Sequence, residues 1–327
     1  MDDLDKRILT AMQADLPVVA RPFDALAERL AVAADDLLAR VRRMVEEGLI
    51  RRIGPVFDSG RLGYVSTLVA ARVPTERLEQ VAERVSGLPG VTHNYERRGR
   101  YNLWFTLTAP SRALLDTALE GLREGTGVAA MHSLPAVARY KIRATFDLTG
   151  GEAPPATEAS EPVQNGDVAA VSLSEEQKAL VRAVQDGLPP VPEPFAGVAA
   201  EAGWTAAAAV EQVRAWLGSG VVRRFGAVVR HRRVGVGAGG MAVFQVDEDR
   251  VDAAGRTLAE QRDVTHCYRR PPLPDFPYAL YAMVHGESEA AVRERVAGMA
   301  RSVGADAWDV LFSGREFKKT SMRYFLE

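Results

Sequence analysis

The sequence predicts an α+β chain of two tandem repeats, each an N-terminal helix-turn-helix followed by a ferredoxin-like βαββαβ unit. Two observations carry this. Motifs recur in order at nearly constant spacing: Ile50-Arg51-Arg52-Ile53-Gly54 returns 172 residues later as Val222-Arg223-Arg224-Phe225-Gly226, and Val91-Thr92-His93-x-Tyr95-x-Arg97 returns 173 later as Val264-Thr265-His266-x-Tyr268-x-Arg270. The spacing reaches 177 at Tyr101-x-Leu103-Trp104 and Tyr278-x-Leu280-Tyr281, after an insert around PPLPDFP (271–277), and holds at Tyr140-Lys141 and Phe317-Lys318. An ordered repeat with small steps in offset is a tandem duplication. Between the copies, residues 150–170 are rich in Gly, Pro, Ala, Glu and Ser. Such a segment cannot offset its ordering entropy and reads as a flexible linker.

Each element follows from local pattern. Leu4, Ile8, Leu9 and Met12 share one face of a first helix over residues 4–15. Helices over Asp24–Leu30 and Asp35–Glu47 follow, the last stopped by Gly48. Val65–Val73, Val91–Arg97 and Leu103–Thr108 read as strands, separated by helices over Thr75–Ser86 and Ser111–Glu124, and an extended stretch runs from Val137 to Phe146. In the second copy Met241–Val246, Val264–Tyr268, Ala279–Val284 and Arg315–Tyr324 are extended. The expected units are 1–62 and 172–234 (helix-turn-helix), 63–149 and 235–327 (βαββαβ), and the linker 150–171, with the halves packed as an intramolecular pseudo-dimer; a further homodimer stays open.

Hydrophobic residues make up 47% and charged ones 26% of the 327 residues, enough apolar surface for real cores. Lys+Arg 41 against Asp+Glu 43 disfavours a protein that coats nucleic acid. One cysteine, Cys267, leaves no intrachain disulfide framework and no thiolate-rich metal site. The start, MDDLDKRILTAMQAD, lacks the basic and apolar regions of a signal peptide, and no apolar run has the length of a membrane helix. The expectation is a soluble cytoplasmic protein with no membrane partner.

A helix-turn-helix followed by βαββαβ resembles the Lrp/AsnC family of bacterial transcription regulators. That resemblance implies amino-acid-responsive DNA binding, but the groove-facing positions oppose it. The first copy reads Ala33-Ala34-Asp35-Asp36 there and the second Thr205-Ala206-Ala207-Ala208-Ala209, offering a base edge no Arg, Lys, Asn or Gln. Arg40, Arg42, Arg43 and Arg214 are the few cations nearby.

A narrower branch fits better. RRIGPVFDSGRLGY, VTHNYERRGRYNLWFTLT and the YKI stretch resemble the D-type subunit of the siroheme decarboxylases; VVRRFGAVVRHRRVG, VTHCYRRPPLPDFPYALYAMVHG and VLFSGREFKKTSMRYF resemble the L-type subunit. The resemblance covers both copies apart from the linker. It implies removal of CO2 from two acetate side chains of siroheme, giving 12,18-didecarboxysiroheme for heme d1 or the alternative heme route. No separate cofactor is implied, because the macrocycle is the electron sink and its iron arrives with it. A Lrp/AsnC-type regulator and a non-catalytic siroheme carrier are the alternatives.

Such chemistry needs a proton source and cations to orient a polyanion. Period-two alternation puts His93, Tyr95 and Arg97 on one strand face, and likewise His266, Tyr268 and Arg270, a face too polar for ordinary sheet packing. The histidines and tyrosines are the candidate catalytic groups; either histidine is alternatively an axial ligand to the substrate iron. Arg97 and Arg270, the pairs Arg51-Arg52 and Arg223-Arg224, then Arg98, Arg100, Lys141 and Lys318 are the candidate carboxylate contacts. Tyr101, Trp104, Tyr278 and Tyr281 read as sheet core ahead of a macrocycle platform. His132, His231 and His285 have no counterpart in the other copy and read as surface residues. Cys267 should face away from His266 as a buried small hydrophobe. GVGAGG (235–240) precedes a strand and opens no helix, so it is not read as a nucleotide loop. Two-fold related halves allow two pockets, which the proline-rich insert would make unequal.

The expected behaviour toward DNA is therefore negative at physiological salt. A nanomolar, sequence-selective gel shift in ordinary buffer would contradict it.

Overall fold

The computed structural model describes residues 1–142, 163–164, 169–230 and 238–326. The first half runs α1 (Asp3–Ala14), α2 (Pro22–Leu30), α3 (Ala34–Glu46), β1 (Ile50–Phe57), β2 (Val65–Ala71), α4 (Leu78–Ser86), β3 (Val91–Arg97), β4 (Leu103–Ala109), α5 (Arg112–Thr126), β5 (Met131–Pro135) and β6 (Ala138–Ile142). A short strand β7 (Val163–Gln164) precedes the second half: α6 (Glu175–Val184), α7 (Pro194–Glu201), α8 (Ala206–Gly218), β8 (Val222–Val229), β9 (Ala238–Gln245), α9 (Val251–Glu260), β10 (Val264–Arg269), β11 (Leu280–Gly286), α10 (Glu289–Val303) and β12 (Ala307–Lys319). None of the described helices is long and apolar enough to cross a membrane.

The first helix of each half is fixed by a capping box, Asp2 with Asp5 in α1 and Ser174 with Gln177 in α6. Gly48, at φ +69°, turns the chain out of α3. The two helix-turn-helix units share one core, in which Phe23, Leu37 and Val41 join Phe195, Val213 and Trp216. The Arg-Arg-x-Gly stretches, for which no strand was expected, are strands: β1 and β8 form a two-stranded antiparallel ribbon with Gly54 opposite Gly226. The arginines of α3 and α8 are spent internally. Arg40 pairs with Asp2, Asp5 and Asp36, Arg43 with Asp5, and Arg42 and Arg214 donate to the Pro190 and Val18 carbonyls.

The remaining strands line up as β5-β2-β4-β3-β12-β9-β11-β10-β6-β7. Within it, β5-β2-β4-β3 and β12-β9-β11-β10 are two ferredoxin-like sheets of the same order. The last strand of each half crosses to the other. Residues 307–312 of β12 pair with β9 and residues 313–319 with β3, while β5 pairs with β2 and β6 with β10. β5 and β6 are separated only by residues 136–137, so one stretch of chain contributes to both sheets, as β12 does. β5 was not expected, and β12 begins eight residues earlier than the extended stretch read from the sequence. Residues 143–146 of the first stretch and most of the expected linker lie outside the described residues; within the linker, Val163–Gln164 pairs with β6. Each sheet has a helix-covered outer core, and Trp104, Leu134, Met241, Val243, Tyr281 and Leu311 pack between the sheets. Phe276, from the proline-rich insert, fills that inner core against Tyr101 and Trp104, both at 5.7 Å between ring centres.

Where the ribbon crosses α1, a Cβ on Gly226 would stand 2.1 Å from the Met12 carbonyl oxygen, whereas one on Gly197, inside α7, would meet nothing within 4 Å. Gly226→Ala should cost about 1–3 kcal/mol through backbone overlap. Gly197→Ala should be neutral or stabilising by up to about 1 kcal/mol through helix propensity. Urea midpoints of the two variants that moved together would contradict this account.

Candidate active site

The two sheets enclose a cavity of about 750 Å³ lined from both halves. His93, Tyr95 and Arg97 reach it from β3, and His266, Tyr268 and Arg270 from β10 and the residue after it. Both triads therefore open into one cavity that draws residues from both halves, where the two-fold repeat had allowed two such pockets. Alternation stacks each triad along its strand: His93 on Tyr95 at 6.2 Å and His266 on Tyr268 at 6.3 Å, with Arg97 5.7 Å from the Tyr95 ring and Arg270 4.9 Å from the Tyr268 ring. Trp104, Tyr281, Leu68, Phe105, Met241 and Met283 supply flat or apolar wall.

The two guanidinium groups are tied across the molecule. Arg97 donates to the Leu311 carbonyl at 2.7 Å, and Arg270 to that of Leu134, each in the opposite half. Neither takes part in an ion pair among the described residues, and the buried Nε of each has no hydrogen-bond partner, nor does the Tyr281 hydroxyl. Burial pulls Arg97 down to about 10 and lowers Arg270; a guanidinium keeps its proton inside proteins. A buried cation without a counter-charge is costly. A ligand carboxylate would relieve it.

A β-bulge shapes each histidine. One extra residue enters β3 between Val91 and Asn94, and one enters β10 between Val264 and His266. A bulge re-aims side chains that would otherwise alternate. Consecutive residues are thereby joined: Thr92 Oγ1 meets His93 Nδ1 at 2.9 Å, and Thr265 Oγ1 meets His266 Nδ1 at 3.1 Å. That leaves Nε2 of each ring for the cavity, where it suits proton donation or ligation of iron. Burial lowers both imidazoles to about 4, helped by the charges of Lys319 and Arg51 at His93 and of His285 and Arg223 at His266. Both rings are neutral at pH 7 in the free protein.

Other expected contacts divide. In the Arg-Arg pairs, Arg51 and Arg223 stand close enough to depress His93 and His266. Arg52 and Arg224 face away, donating to the carbonyls of Gln185 and Gln13 at the ends of α6 and α1, because neighbours on a strand point to opposite sides. Lys141 and Lys318 also lie on the helix side, donating to the carbonyls of Gln261 and of Ser86 and Leu88, at the ends of α9 and α4. They cap helix C-termini and do not line the cavity. Register irregularities in β12 bring Lys319 to the wall instead. Arg98 and Arg100 are exposed and paired with Glu289 and Asp275. Trp104 and Tyr281 are both core and cavity wall, while Tyr101 is core.

His285, expected at the surface, lines the cavity, with Nε2 2.9 Å from Thr265 Oγ1. His132 is half-buried against Tyr101, and His231 lies outside the described residues. Cys267 is buried on the face opposite His266, as expected. The threonines were missed although both were inside the repeated Val-Thr-His string.

Comparison with known proteins fits this architecture. The family described as AsnC-like ligand binding domain matches residues 61–141 and 233–318, and that described as siroheme decarboxylase NirDL-like HTH domain matches 5–51 and 177–223. A siroheme decarboxylase of Hydrogenobacter thermophilus is 36% identical over 100% of this chain and 96% of its own. The siroheme decarboxylase NirDL subunit of Paracoccus pantotrophus is 38% identical over 90% and 88%. The separate NirD subunit of Pseudomonas aeruginosa is 45% identical over 45% of this chain and 97% of its own. A crystal structure of the siroheme decarboxylase NirDL superposes with a TM-score of 0.76 at 33% identity, covering 99% of this chain and 94% of the other. A second, in complex with an iron-uroporphyrin III analogue, gives 0.75 at 32% over 99% and 94%. Matched in sequence and fold along nearly its whole length, the chain belongs to the siroheme decarboxylases, in the fused NirDL form.

Proposed function

We propose that this chain is a carboxy-lyase that removes CO2 from the acetate side chains at C12 and C18 of siroheme, giving 12,18-didecarboxysiroheme for heme d1 or an alternative heme route. The observation that carries the reading is the pair of buried guanidinium groups without counter-charges, set beside two neutral imidazoles and aromatic walls in one cavity. Each step converts R–CH2–COO⁻ and one proton into R–CH3 and CO2. The bond between the CH2 and the carboxyl carbon breaks, its electron pair is delocalised into the macrocycle, and a proton then closes the methyl group. No further cofactor enters this scheme.

Arg97 and Arg270 present Nε–H groups to side-chain carboxylates, with Lys319 as a third cation, and fix the macrocycle. Leu68, Phe105, Met241 and Met283 give the reacting carboxylate an apolar surrounding, in which loss of charge as CO2 is favoured. His93 and His266 are the proton donors within reach, with Tyr95 and Tyr268 beside them. Anaerobic incubation with siroheme and mass spectrometry of the pigment tests the reading. Loss of two CO2 units supports it; a pigment bound unchanged marks a carrier and overturns it.

General acid catalysis is worth about 10²–10⁴-fold. The His93→Ala, His266→Ala double variant should lose turnover by that order while still binding siroheme, whereas Arg97→Gln or Arg270→Gln should weaken binding and turnover together. A double variant near the parent rate would remove the histidines from the mechanism.

Binding should also move protons. Burial lowers the cavity imidazoles His93, His266 and His285 in the free protein, and incoming carboxylates favour protonation of an imidazole there. Iron-uroporphyrin binding at pH 6 should therefore take up protons. Calorimetry in two buffers of different ionisation enthalpy reads the uptake, and equal heats would contradict it.

A further inference from the structure

The two histidines are held alike by their threonines, but the next group along differs. Thr92 Oγ1 continues to Thr106 Oγ1 at 2.7 Å, a second hydroxyl that also accepts from the His93 backbone N–H at 3.2 Å. Thr265 Oγ1 continues to His285 Nε2 at 2.9 Å. One chain ends in an alcohol, which has no proton to give near neutrality. The other ends in an imidazole. Burial, with the charge of Lys319, holds the His285 imidazole below its ordinary value, opposed by Asp263, which favours the protonated form, and Arg295 donates to its carbonyl at 2.7 Å.

We propose that Thr265 and His285 are a proton relay serving Nδ1 of His266, and that His266, not His93, is the imidazole that protonates the substrate. This rests on the decarboxylase reading above. A neutral imidazole that gives up Nε2–H alone would become an imidazolate, which is prohibitive. The relay removes that obstacle once the entering carboxylates have drawn a proton from solvent onto His285: as Nε2–H of His266 passes to the substrate CH2 carbon, the Thr265 hydroxyl proton moves to His266 Nδ1 and the Nε2 proton of doubly protonated His285 moves to Thr265. His266 ends neutral with its proton on Nδ1, and His285 ends neutral. One proton is consumed per CO2. With product gone and the cavity open to water, Nε2 of His266 is reprotonated, Nδ1 returns its proton through Thr265, and His285 regains its charge. His93, lacking this supply, is left to orient the substrate or ligate its iron.

The test uses the full-length protein with siroheme under anaerobic conditions. His285→Gln and Thr265→Val should each lower kcat about tenfold or more with KM little changed, and combining them should add no further loss, since the two act in series. Added imidazole should restore His285→Gln, and Thr265→Ser, which keeps the hydroxyl, should be much faster than Thr265→Val. A parent-like kcat in His285→Gln, or a loss that imidazole does not repair, overturns the relay. A second measurement needs no turnover: imidazole ¹⁵N shifts should place the neutral His266 proton on Nε2 in the parent and in Thr265→Ser, and show a mixture of tautomers in Thr265→Val. The same tautomer in all three overturns the relay even if siroheme is left intact, whereas an inactive parent that shows the expected tautomers counts against the decarboxylase reading alone.

Discussion

Arg97 and Arg270 do two things with one group. Each guanidinium reaches across the molecule to a backbone carbonyl of the opposite half, and each keeps an Nε–H that meets no protein acceptor. The first contact holds the two sheets at the spacing that creates the cavity. The second leaves buried positive charge that no carboxylate among the described residues pairs with. Aromatic stacking on Tyr95 and Tyr268 and the apolar walls keep those charges desolvated, so the free protein carries a strain that only an anion removes. Stability and recognition are opposed at these two residues.

Two-fold repetition sets the frame, and small departures from it set the roles. The bulges, threonines, histidines, tyrosines and arginines obey the symmetry. Thr106 against His285, and the insert that brings Phe276 into the inner core, break it. Duplication supplies the matched cations that a many-armed anion needs, and divergence at two positions, Thr106 where the other half has Met283 and His285 where it has Thr108, distinguishes the ends of the cavity.

Much of this was legible in the sequence, and the reasons for the misses are physical. The repeat, the strand carrying each triad and the shared face of His, Tyr and Arg follow from period-two alternation and needed no tertiary knowledge. Repetition alone, however, did not separate chemistry from scaffolding. Arg52 and Arg224, like Lys141 and Lys318, recur because each half must satisfy the same helix-end carbonyls. The Thr–His contacts depend on a bulge, which belongs to the pairing of two strands and leaves no mark on either alone. Lys319 replaced Lys318 for the same reason. His285 was set aside because it had no counterpart, yet being unmatched is what distinguishes its end of the cavity. The strand exchange was invisible because a strand's pattern shows its buried face and not its partner.

That exchange has a consequence for assembly. β12 completes a sheet begun by the other half, and β5 with β6 does the same in return. As separate subunits, such halves would meet at a rate set by their concentrations, and two first halves could pair with each other in place of a second half. Joined through residues 143–170, they stand at a fixed one-to-one ratio and a high effective concentration. A single reading frame thereby fixes the stoichiometry of the heterotypic pairing and makes the encounter of the two halves independent of how much protein is present.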